Sequence, residues 1–74
     1  MFPDFVSAFV PLGRMYMEAG DTAKAHDLYT RLVRRHPNSP EAQFHFGVTS
    51  MQRGEGAAAL RSFDEAIRLD PEYF

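Results

Sequence analysis

The side chains able to do chemistry are few, and their spacing argues against a reaction centre. Histidine occurs at His26, His36 and His45. None lies four residues from another, and no carboxylate joins them in a ligand pattern, so neither a helical metal site nor an acid–base pair is indicated. They read as surface or groove histidines. Arg31, Arg34, Arg35 and His36 form a basic run of the kind that holds phosphate. Leu32 and Val33 interrupt it with core-type residues, and the end of a helix favours cations without any ligand. Gly54-Glu55-Gly56 reads as a turn between helices and not as a phosphate-cradling loop. No serine sits in a nucleophile motif. Asp64, Glu65 and Glu72 read as solvated charge. The expectation is a chain with no catalytic residue, no cofactor and no metal.

Composition agrees. The 74 residues are 45% apolar and 24% charged with a formal charge of −2, an ordinary globular balance that disfavours nucleic acid or an anionic membrane as partner. Cysteine is absent, which excludes disulfides and thiolate zinc sites. The length allows one small domain, which buries only about 60% of its unfolded surface and has modest stability. No apolar run approaches the roughly 18 residues that span a bilayer. The apolar stretch 5–12 lacks a preceding Lys or Arg and a clear small-residue cleavage site, so it does not read as a signal peptide. A cytoplasmic protein without membrane insertion is expected.

What positions these residues is an internal repeat. Prolines stand at 3, 37 and 71, 34 residues apart each time. Sliding 6–39 onto 40–73 matches Ala8 with Ala42, Gly13 with Gly47, Met17 with Met51 and Gly20 with Gly54. It also matches Ala23 with Ala57, Ala25 with Ala59, Arg34 with Arg68 and Pro37 with Pro71. These ungapped identities are several times the chance expectation, and such a period marks a stacked-repeat architecture.

Each unit reads as two helices. In the second, Ser39 caps, Pro40 suits the first helical position and Glu41 complements the dipole. That helix runs to about Arg53, where Gly54 supplies a left-handed exit. Ala59, Phe63, Ala66 and Ile67 recur at helical spacing in the next, and Pro71 marks its stop. In the first unit Asp21 caps a helix whose stripe is Ala25, Leu28, Tyr29, Leu32 and Val33. Nothing reads as a strand. Pro11 removes a helix donor, so the first helix is expected to begin near Ser7 or Ala8, or to kink, with an irregular first turn.

These residues resemble the tetratricopeptide repeat, a 34-residue helix–turn–helix unit. The first unit matches its pattern with Phe9, Leu12, Gly13, Tyr16, Gly20, Ala25, Tyr29 and Pro37, with Leu32 at the usual Ala position. The second matches with Phe46, Gly47, Gly54, Ala59, Phe63, Ala66 and Pro71. It has Gln43 for the usual aromatic and Ser50 for the usual Tyr. The resemblance covers 6–73. It implies an all-α fold, two tandem repeats (6–39 and 40–73) in a short right-handed α-solenoid of four helices. Residues 1–5 would be the remnant of a preceding repeat end. Gly13 and Gly47, facing Ala25 and Ala59, let helices approach closely, while Tyr16, Tyr29 and Phe63 fill the space between layers.

The family lines a concave groove with the first helix of each unit and binds peptides there. Carried over, the groove takes Ser7, Val10, Arg14 and Met17 from the first unit. From the second it takes Glu41, Phe44, His45, Val48, Met51 and Gln52. The Lys and Asn with which a related subfamily grips a C-terminal carboxylate are missing from this face. Its methionines suit an apolar ligand instead. The expected role is a non-catalytic protein–protein interaction scaffold binding an apolar or amphipathic peptide. The alternative is a self-assembly unit forming a homo-oligomer, such as a homodimer, through exposed apolar faces, because two repeats fall below the roughly three that usually stack stably.

Overall fold

A computed structural model describes residues 5–72 of the chain. Four helices follow in order: α1 (Phe5–Glu18), α2 (Thr22–Arg35), α3 (Pro40–Gln52) and α4 (Gly56–Leu69). No strand occurs among the described residues. The fold is all-α, two antiparallel helical hairpins stacked side by side.

The two hairpin turns are built identically. After α1 the Gly20 amide bonds the Met17 carbonyl at 3.0 Å and the Asp21 amide reaches back to Tyr16 at 2.8 Å. After α3, Gly54 bonds Met51 at 3.0 Å and Glu55 reaches Ser50 at 2.8 Å. This paired closure needs a left-handed residue, and Gly20 and Gly54 sit at φ 80° and 79°. The helix starts also follow local chemistry. The Asp21 side chain accepts from the Lys24 amide at 3.2 Å, and Ser39 Oγ accepts from the Ala42 amide at 3.3 Å. Glu55 caps α4 without a side-chain bond.

Pro11 departs from the expectation. The helix begins at Phe5, ahead of Ser7, and continues unbroken past Pro11 to Glu18. Only the ladder bond to the Ser7 carbonyl is forfeited. Ser7 and Pro11 are both exposed, so that carbonyl lies where water reaches it. The reading of 1–5 as a preceding repeat end lies outside the described residues, apart from Phe5 at the head of α1. The closing aromatics Tyr73 and Phe74 also lie outside them.

Each helix packs on its sequence neighbour, and α1 also meets α3. The core is the cluster Val6, Ala25, Tyr29, Leu32 and Ala42, with Val10, Met17 and Phe46 partly buried against it. The repeat glycines are explained by rings. A Cβ on Gly13 would stand 2.8 Å from Tyr29 Cε2 and closer still to Cζ and Oη; one on Gly47 would stand 2.8 Å from Phe63 Cε1. Ala25 and Ala59 are fully buried beside them. Ile67, placed by its spacing on the apolar stripe of α4, is exposed instead. No helix among the described residues is long and apolar enough to cross a membrane.

Candidate functional site

Because α1 and α3 lie side by side, their facing sides form a shallow cavity of about 250 Å³. From α1 it is lined by Arg14, Met17 and Glu18, and from α3 by Phe44, His45, Val48 and Thr49, with Tyr29 of α2 reaching it from behind. Most of the wall is carbon, and Arg14 and Glu18 supply charge of both signs.

Tyr29 and His45 are held by one another. Their rings stack at 5.2 Å with 18° between planes, and Phe44 meets the His45 ring edge-on at 5.1 Å. Tyr29 Oη donates to the Val10 carbonyl at 3.1 Å. Burial pushes the Tyr29 phenol above its ordinary range, with Arg14 opposing and Glu41 adding to the shift. Burial likewise holds His45 below its ordinary value, against the pull of Glu41 and with that of Arg14. His45 therefore sits in the site as a neutral aromatic surface near neutral pH. At the neighbouring end of the same face, Ser7 Oγ donates to Glu41 Oε1 at 2.8 Å and ties α1 to α3.

Of the residues assigned to a groove by resemblance, Arg14, Met17, Phe44, His45 and Val48 come together around this cavity. Val10 is partly buried against the core, its carbonyl holding Tyr29. Met51 and Gln52 are exposed and lie off the cavity. Tyr29, Glu18 and Thr49 join the lining without having been expected there. Tyr29 belongs by periodicity to the core stripe of α2, and only the missing side chain at Gly13 admits its ring between the layers.

The other histidines have different surroundings. His26 stacks on Phe46 at 5.2 Å, its Nδ1 lies 3.0 Å from Thr49 Oγ1 and its Nε2 lies 3.8 Å from Glu55. It pins α2 to α3 and to the turn before α4. His36 closes α2, its amide bonding the Leu32 carbonyl at 2.8 Å. In the basic run, Arg31 pairs with Asp27 one turn earlier at 3.2 Å. Among the described residues no group of three His, Asp or Glu side chains is placed to hold a metal ion.

A family profile described as tetratricopeptide repeat matches residues 10–74. The chain belongs to the tetratricopeptide repeat family. It is also 30% identical over 60 residues to cellulose synthase operon protein C of Pseudomonas fluorescens (strain SBW25). That alignment covers 81% of this chain and 5% of the relative, so the chain spans a small fraction of the protein it matches. Tetratricopeptide repeats are typically non-catalytic helical scaffolds for protein interaction. In this tetratricopeptide chain Gly13 packs on the Tyr29 ring and Gly47 on the Phe63 ring.

Proposed function

We propose that this chain is a scaffold unit whose α1–α3 face binds an apolar or amphipathic segment of a partner protein. The observation that carries the reading is the cavity beside Met17, Phe44 and Val48. At about 250 Å³ it is smaller than the roughly 300–1,000 Å³ of a small-molecule site. It suits one large apolar side chain presented by a peptide. Met17 adapts to the shape of what enters, and Phe44 and the neutral His45 offer rigid ring surface. Arg14, exposed at the same place, supplies a donor for a carbonyl or carboxylate of the bound segment.

Peptides selected on the immobilised chain from a random display library test this. The reading expects enriched peptides to carry a large apolar residue and to shift the amide resonances of α1 and α3 on titration. Selected peptides that shift only the outer side of α4, or none that bind, contradict it.

A further inference from the structure

We infer that the two outer sides of the stack, that of α1 and that of α4, dock on one another between copies of this chain, head to tail. The observation is a comparison of the internal joint between hairpins with the same positions displaced by 34 residues. Inside the molecule, α2 closes on α3 through His26 against Phe46 and Thr49, Tyr29 against His45, and Val33 partly buried against the core. Displacing the α2 positions lands on Leu60, Phe63 and Ile67 of α4. Displacing the α3 positions lands on Pro11, Leu12 and Met15 of α1.

Apart from Phe63, which is half-buried against Gly47, these are the residues left in water. Leu60 is 64% exposed, Met15 63%, Ile67 46% and Leu12 37%, whereas Thr49, the internal counterpart of Met15, is fully buried. Ala8 and Ala42 are the same residue at the same repeat position; Ala42 is buried and Ala8 is exposed.

The two sides also match chemically in that register. The polar contact of His26 with Thr49 becomes Leu60 against the next copy's Met15. Stacking of His26 on Phe46 becomes Leu60 against Leu12. The bond from Gln43 to the Pro37 carbonyl becomes Phe9 against Pro71, and Phe9 is exposed too. The pair His26–Thr49 becomes apolar on both sides at once. The pair His26–Glu55 becomes Leu60 beside Asp21, whose carboxylate keeps its bond to the Lys24 amide, and the Pro71 carbonyl lacks the donor that Gln43 gives to Pro37. The link from Ser7 to Glu41 is reproduced as Glu41 of one copy facing Ser7 of the next. The occupant that fits is therefore a hairpin of this chain's own kind. Such a contact joins unlike surfaces, so it grows as an open chain of copies and does not stop at a two-fold dimer.

Sedimentation velocity of the 74-residue chain over a wide concentration range should show association continuing beyond a dimer. Leu60→Glu and Leu12→Glu, each spoiling one side, should each lower self-association at least about tenfold, the effect of losing a central interface side chain. Mixed, the two variants should form a one-to-one dimer through their intact sides. Circular dichroism checks that both stay helical. Because the chain has no cysteine, Met15→Cys mixed with Leu60→Cys gives an independent readout. Oxidation should link the two variants to each other and not to themselves. A wild-type monomer at every concentration, variants that associate like wild type, or absence of the mixed disulfide would overturn the inference. The α1–α3 cavity is untouched by these substitutions, so peptide binding there stands or falls separately.

Discussion

Gly13 lies directly against the Tyr29 ring, closer than any side chain at that position allows. The ring fills the space between α1 and α2, reaches the back of the cavity, stacks on His45 and bonds the Val10 carbonyl. One missing Cβ thus links the packing of the first hairpin to the shape of the candidate site.

Gly13→Ala should destabilise the fold. Alanine gains up to about 1 kcal/mol in helix propensity, but overpacking a filled site costs about 1–3 kcal/mol, and here the obstacle is a buried ring. Gly47→Ala, against Phe63, should behave alike. Gly56 has nothing within 4 Å of its would-be Cβ and opens α4, so Gly56→Ala should be neutral or slightly stabilising. Thermal melts of the three variants check this; an unchanged melting temperature for Gly13→Ala would refute the close approach.

Ser50 stands at the position Tyr16 fills in the first unit. It is fully buried, and its hydroxyl has no hydrogen-bond partner among the described residues. Removing a buried hydroxyl that makes no bond relieves a desolvation cost. Ser50→Ala should therefore raise stability, by up to about 1 kcal/mol, equal to a rise of roughly 4–8 °C in a domain of this size. A denaturant titration measures it, and a loss of stability would show that the hydroxyl is bonded.

Stability should fall with pH through His45. Its folded-state value lies below the ordinary 6.5 because burial disfavours the imidazolium. Below pH 6.5 the unfolded chain takes up the proton first, so the stabilisation, complete above that pH, is lost as pH falls from 6.5 through the folded value. Melting temperatures from pH 8 to pH 5 should drop more steeply for wild type than for His45→Phe. Equal slopes would contradict the burial of this ring.

The helices were legible because their signals are local. Ser39 and Asp21 name themselves as caps, and Gly20 and Gly54 are demanded by a left-handed turn. The repeat glycines were legible as sites of close approach, and Tyr29 and Phe63 as rings that fill the layers; that each ring lies on its glycine was not, because contacts of α1 with α2 and of α3 with α4 leave no local trace. Pro11 misled for the opposite reason. Its local signal is strong, yet on an exposed stretch of helix the lost bond costs too little to delay the start of α1. Periodicity placed Ile67 on an apolar stripe; it cannot tell whether anything covers that stripe. His26 carries no pattern at all, since Thr49 and Glu55 meet it only through the stacking of α2 on α3. The site was half legible: Met17, Phe44 and Val48 share the face of the first helices, while Met51, one turn further along α3, falls beyond the cavity.

The most direct test of the binding role compares one selected peptide on three proteins by calorimetry, below their melting temperatures. Phe44→Ala removes a wall of the cavity, while Met51→Ala trims an exposed methionine of the same helix outside it. The account predicts that Phe44→Ala weakens binding by more than about 1 kcal/mol, as truncation of a central contact does, and that Met51→Ala leaves it unchanged. Equal affinity of wild type and Phe44→Ala would contradict it.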